Sequence, residues 1–182
     1  MIIGITGTIG AGKGTVVDYL VTRKGFKHYS ARDFIVAEVK KRGLPVNRDT
    51  ITPVANDLRK QHGPGYIIES LYRQAEAASG DAVIESIRTP GEIELLKKQG
   101  GFYLFAVDAD PAVRYERVKN RGQVTDNVSF ETFKQQEERE MRSTDPTKQN
   151  ISACVAQADH VFVNNGTVEE LHRQVEEVVT KL

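Results

Sequence analysis

Nine residues near the amino terminus constrain this chain more than any other stretch. Gly7-Thr8-Ile9-Gly10-Ala11-Gly12-Lys13-Gly14-Thr15 stands between a short apolar run and a helical pattern. Gly7, Gly10 and Gly12 permit a tight turn whose backbone N–H groups converge on one point without side chains in the way. The helix expected to start at about residue 13 aims its positive dipole end at the same point. Lys13 adds a mobile full charge. A ligand with several negative charges in a small volume, a polyphosphate, matches this cradle, and the strand-loop-helix setting is the one a P-loop requires.

The rest of the chain agrees with an α/β fold. Short apolar, β-branched runs predict strands at 1–6, 26–29, 81–85, 102–107 and 160–163. Each is too apolar to alternate, as expected where helices cover both sheet faces. Helical patterns span 13–23, 31–42, 50–62, 65–78, 90–98, 111–120, 129–141, 147–157 and 167–180. In the last, Val168, Leu171, Val175, Val178 and Val179 repeat at three- and four-residue steps. The expectation is a three-layer P-loop NTPase fold: a central five-stranded parallel sheet, helices on both faces and a helical lid. Glycines and prolines at 44–64 and the polar stretch 121–149 interrupt the alternation. A single domain is expected, with a core at 1–30, 80–121 and 150–182, an acceptor-binding insert at about 31–79, and a lid at about 122–145.

Composition narrows the function. The 182 residues carry 25 Lys+Arg against 25 Asp+Glu, which argues against constitutive nucleic-acid binding. Cys154 is the single cysteine, so no internal disulfide or cysteine zinc site is expected. His28, His62, His160 and His172 show no metal spacing. No apolar run is long enough to span a bilayer and the start lacks a signal peptide's basic residues. The expected location is cytoplasmic, and the three Asn-x-Ser/Thr sites are read as chance matches.

The variant Gly12-Lys13-Gly14-Thr15 resembles the loop of adenylate kinase and related nucleoside monophosphate kinases. The resemblance implies that Gly10, Ala11, Gly12, Lys13, Gly14 and Thr15 hold ATP with Mg²⁺. Gly14 replaces the Ser or Thr that usually follows the lysine. The metal would therefore rely on Thr15 and Glu85, mainly through water.

Other segments extend the resemblance across most of the chain. Tyr29-Ser30-Ala31-Arg32-Asp33 resembles the acceptor entry of these kinases; Ser30 is either a helix cap or an acceptor contact. Asp33 is a candidate to orient the acceptor or the hydrated metal. The family's acceptor-phosphate arginine is absent, since Val36 stands there, leaving Arg32 as the nearest candidate. Arg88 matches the arginine after Asp-Gly-Phe-Pro in adenylate kinases, which clamps the acceptor phosphate; a guanidinium binds phosphate oxygens in pairs. Arg117 and Arg121 lie four apart on one helix face and resemble the Arg-x-x-x-Arg before the lid. By that resemblance Arg117 stacks on the ATP base and Arg121 reaches the transferring phosphoryl group. Arg139 and Arg142 are lid candidates. Asn164-Asn165-Gly166-Thr167 is similar to the adenine-edge turn of dephospho-CoA kinases, with Asn165 as the candidate base reader; a turn with a Thr167 cap is the alternative.

The function implied is transfer of the ATP γ-phosphoryl group to a nucleoside or deoxynucleoside monophosphate. Lys13, Arg88, Arg121 and Asp33 are the candidate catalytic residues. A dephospho-CoA kinase-like enzyme and a P-loop ATPase acting as a nucleotide-dependent switch are the alternatives. The expected partner is a phosphorylated small molecule, with no membrane involved.

Overall fold

The structure, a computed structural model, describes residues 1–121, 128–143, 145 and 148–182. The first half runs β1 (Ile2–Gly7), α1 (Lys13–Lys24), β2 (Lys27–Ser30), α2 (Ala31–Lys41), α3 (Arg48–His62), α4 (Tyr66–Ala77) and β3 (Ala82–Glu85). There follow α5 (Pro90–Lys97), β4 (Phe102–Asp108), α6 (Pro111–Arg121), α7 (Phe130–Met141), α8 (Ile151–Ala156), β5 (His160–Val163) and α9 (Val168–Val179). The expected strands and helices are all present, and the differences lie at their ends. α3 starts earlier than expected because Asn47 and Thr50 form a reciprocal capping box ahead of Pro53. α8 starts later, where the Asn150 side chain accepts the N–H of Ala153 at 3.1 Å.

The five strands form one parallel sheet in the order β2-β3-β1-β4-β5. Successive strand residues face opposite sides. Ile3, Ile5, Val83, Phe105 and Phe162 meet Val16, Leu20, Leu171 and Val175 of α1 and α9 on one face. Ile84 and Leu104 meet residues of α2, α3, α4, α5 and α8 on the other, including Ile35, Leu58, Ile67, Leu71, Ile93 and Cys154. Burial in this core pushes the Cys154 thiol up to about 12, so it packs as an inert side chain.

Two expectations need correction. The edge strand β5 does alternate, with Phe162 buried while Val161 and Val163 remain 45% and 57% exposed. An edge strand lacks the second helical layer that covers the central strands. Val168 is also exposed, because it opens α9 before the helix settles onto the sheet. Leu171 and Val175 carry that contact.

The topology places the site. β1 is central, with β3 on one side and β4 on the other. The chain leaves β1 toward β2, returns through β3, and then crosses to β4. In open parallel sheets, ligands bind beyond the carboxyl ends of the strands at such a switch of direction. The nine-residue loop sits at that point.

Candidate active site

Gly7 ends β1 with φ +134, and a Cβ there would lie 2.0 Å from the carbonyl oxygen of Val107 on β4. Gly12 caps α1 in the left-handed region, φ +100, with the Asn164 amide 2.3 Å from where its Cβ would stand. Either position carrying a side chain would push the loop off its neighbours. Gly14 differs: nothing lies within 4 Å of its Cβ position. The family's replacement of Ser or Thr by glycine there leaves open space beside the loop.

Lys13 opens α1, and its Nζ donates to the carbonyls of Gly7 (2.9 Å) and Thr8 (2.7 Å). Burial lowers its pKa to about 8; Arg88 and Arg114 push the same way, while Glu140 and Glu85 oppose them. The loop lysine therefore shares an electrostatic environment with Arg88, Glu85, Arg114 and Glu140. Three of the candidate residues, Lys13, Glu85 and Arg88, are thus brought together.

Glu85 ends β3 in register with Ile5 and Ser30, and lies 3.6 Å from His28 Nε2. Ser86 follows with φ +70, an unfavourable conformation for a residue with a Cβ and a frequent mark of functional sites. The turn is held by the Thr6 hydroxyl, which donates to Ile87 O at 2.8 Å. Arg88 emerges half-buried, donating to Gln149 Oε1 at 2.7 Å and to Glu140 on α7 at 3.4 Å. Its backbone N–H donates to the buried carboxylate of Glu92, which also completes a capping box with Thr89 at the start of α5.

On the opposite flank, Arg117 donates to the carbonyls of Asn164 (2.8 Å) and Gly166 (3.3 Å). Asn164 in turn donates from its side chain to Ala11 O, 2.8 Å away in the loop. The carbonyl-rich turn, the arginine and the loop therefore form one unit. Asn165 accepts the Asp110 N–H at 2.7 Å, a bond that holds the turn against the start of α6, and Thr167 caps α9. Thr8 donates to Asp108 at 2.7 Å, and Arg114 reaches Ile9 O and the Glu137 carboxylate on α7.

Ser30 caps α2, accepting the Asp33 N–H at 3.2 Å. Arg32 and Asp33 lie exposed on the first turn of α2 and are not among the charges acting on Lys13. Arg121 is exposed at the end of α6, and Arg142 is exposed as the cap that ends α7. The side chain of Arg139 and the stretch 122–127 of the candidate lid lie outside the described residues. Thr15 is half-buried in the first turn of α1. Among the described residues no three His, Cys, Asp or Glu groups are placed to hold a metal, and no helix is long and apolar enough to cross a membrane.

Several site residues escaped the sequence reading. Asn164 immediately precedes the candidate Asn165, and Arg114 lies three residues before Arg117 on the same helix face, so both had a local signal. Glu137, Glu140 and Gln149 are brought in by tertiary packing and had none.

A family model described as an AAA domain matches residues 3–145. The UPF0200 protein of Pyrococcus horikoshii is 30% identical over 188 residues, covering 100% of this chain and 97% of that protein. Among solved structures, TT1252 from Thermus thermophilus superposes with a TM-score of 0.62 at 22% identity, covering 100% of this chain and 97% of that one. Shikimate kinase from Bacteroides thetaiotaomicron gives 0.63 at 14% identity, covering 99% and 98%. These two share the fold of this chain, a parallel sheet with helices around it. Both the domain match across the phosphate loop and the end-to-end relative place the molecule more broadly than the monophosphate kinase resemblance did: the chain belongs to the AAA domain family and, within the archaeal relatives it matches, to the UPF0200 proteins.

Proposed function

We propose that this protein transfers the γ-phosphoryl group of Mg·ATP to the phosphate of a nucleoside or deoxynucleoside monophosphate. The observation that carries this reading is the placement of Lys13 and Arg88 beyond the carboxyl ends of the paired strands β1 and β3, with Arg88 among the charges that lower the Lys13 pKa. A loop that only bound nucleotide would need the lysine; a second cation, the Arg88 guanidinium past the exit of β3, gives the site a place for an acceptor anion. Bound ATP with its metal supplies the transferable phosphoryl group. An acceptor phosphate oxygen forms the new P–O bond as the β–γ bridging bond breaks, leaving ADP and a nucleoside diphosphate. For that step the glycine-loop N–H groups and Lys13 hold the donor phosphates and offset the charge that develops on them. Arg88 aligns the acceptor oxygen with the phosphorus. Thr15 and Glu85 provide oxygen atoms suited to a hydrated Mg²⁺.

One observation favours a second reading. Arg88 and Arg114 are already engaged by Glu140 and Glu137 of one helix, α7, so nucleotide binding has a means of moving that helix. This is what a nucleotide-dependent ATPase switch requires. The deciding experiment offers Mg·ATP with each ribo- and deoxyribonucleoside monophosphate and with dephospho-CoA, scored against hydrolysis without acceptor. Stimulated, stoichiometric product formation with a monophosphate supports the transferase. Turnover indifferent to every acceptor supports the switch, and dephospho-CoA as sole acceptor supports the third class.

A further inference from the structure

Val36 stands where the resembled kinases carry their acceptor-phosphate arginine, yet a buried arginine on another helix reaches the carboxylate beneath Arg88. Arg59 on α3 has a side chain only 11% exposed. Its Nε is buried without a hydrogen-bond partner among the described residues. The nearest opposite charge is Glu92, whose Oε1 lies 3.9 Å from Arg59 Nη2. That distance orients a guanidinium but is too long for a hydrogen bond.

Glu92 is 1% exposed, and its Oε2 accepts the N–H groups of Arg88 (2.8 Å) and Thr89 (3.1 Å). One carboxylate thus holds the Arg59 head beside the backbone from which Arg88 projects. Two arginines share this corner with one buried carboxylate, whose Oε2 is taken by the backbone and whose Oε1 stands too far from Arg59 for a hydrogen bond. Burial lowers the Arg59 pKa, Glu92 counteracts this and Arg88 adds to it. Burial likewise raises that of Glu92. A planar cation with an unpartnered buried donor, 11% exposed and beside a second arginine, is suited to a phosphate monoester, which accepts paired N–H bonds from each fork.

We propose that Arg59, together with Arg88, binds the phosphate of the acceptor nucleotide and takes the part that an arginine at Val36 would otherwise play. Arg32, exposed on α2, has no such part. Glu92 is a positioning residue that acts through Arg59. This inference rests on the phosphotransferase reading for the identity of the ligand, but it is tested separately from turnover.

The test uses the full chain saturated with a non-hydrolysable ATP analogue and Mg²⁺. Calorimetry measures binding of nucleoside monophosphates and of the parent nucleosides, with turnover and melting temperature recorded in parallel. Arg59→Gln should weaken monophosphate binding by about 10- to 100-fold, the loss expected for hydrogen bonds to a charged group. Nucleoside and ATP-analogue binding should be unchanged, because neither places a phosphate at Arg59. Arg32→Gln should bind as the wild type does. If Arg59→Gln does not fold, Arg59→Lys replaces it; the loss of the planar fork should still weaken monophosphate binding several-fold. Unchanged monophosphate affinity, or equal losses for monophosphate and nucleoside, would overturn the proposal and leave Arg59 as a buried structural ion pair. A wild type that binds monophosphates without turning them over defeats the transferase reading alone. Wild-type turnover with unaltered binding by the variant defeats the Arg59 proposal alone, and a wild type that binds no monophosphate defeats both.

Discussion

At the scale of single residues, the Lys13 ammonium has the sharpest consequence. Its pKa of about 8 is set first by burial and second by Arg88. A polyphosphate beside it favours the charged form, so ATP binding should draw in a proton. The sign follows from linkage: affinity is greatest where free Lys13 is already protonated and falls as pH rises through its free value. Where bound ATP keeps Lys13 charged, ATP affinity follows the protonated fraction of the free lysine and should drop about tenfold between roughly pH 7 and pH 9. Titration calorimetry in buffers of different ionisation enthalpy checks this, and Lys13→Ala should abolish the pH dependence. The same substitution should remove most turnover, because transition-state charge stabilisation of this type contributes several kcal/mol. Arg88→Ala should instead raise the acceptor KM and lower kcat, by about 100-fold together, with ATP affinity nearly unchanged. Equal weakening of both substrates would move Arg88 to the donor side.

At the scale of elements, α7 is the part that departs most from a loose polar cover. Phe133 is 1% exposed and packs against Tyr115 and Phe130, while Glu137 and Glu140 join it to Arg114 and Arg88. Apolar anchoring and charge thus hold the helix over the site from two directions. Phe133→Ala removes the apolar anchor, a change that costs about 3–5 kcal/mol when a core can lose it. In a peripheral helix the expected result is local undocking: hydrogen exchange across 130–141 should accelerate while β1 and β4 keep their protection. With the wild type, an inhibitor joining both substrates should slow exchange across 128–143 more than an ATP analogue alone. Identical rates in the free and doubly liganded protein would show that this helix does not close over substrates.

For the whole molecule, the site depends on contacts between distant parts of the chain. Asn164, only 6% exposed, donates to Ala11 across the chain, and its backbone N–H donates to Asp108 O at 2.8 Å. The carboxyl-terminal third is thereby tied to the phosphate loop. Asn164→Ala leaves the Ala11 carbonyl buried without its partner and should reduce stability by about 1–3 kcal/mol. Chemical denaturation measures that loss. Because Arg117 also grips this turn, ATP affinity should fall in the variant while binding of the isolated acceptor is retained.

The sequence alone determined the strands, the helices and the phosphate loop, because periodicity, caps and glycines are local properties of neighbouring residues. Gly7 and Gly12 were legible for the same reason: a loop that turns this tightly tolerates no side chain there. Lys13, Glu85 and Arg88 were also legible, lying at the start of a helix, the end of a strand and the short turn that follows it. Tertiary structure decided which charges meet. Whether Arg59 or Arg32 approaches Arg88 depends on how α2, α3 and α5 pack, and the sequence around Arg59 carries no motif. The partners of Arg88 and Arg114 on α7 come from 52 and 23 residues away, a separation that no helical or strand period encodes. Exposure of Val161 and Val163 was equally hidden, since β-branched residues read alike in a central and an edge strand. Only the sheet order places β5 at the rim, where one face has no helix to cover it.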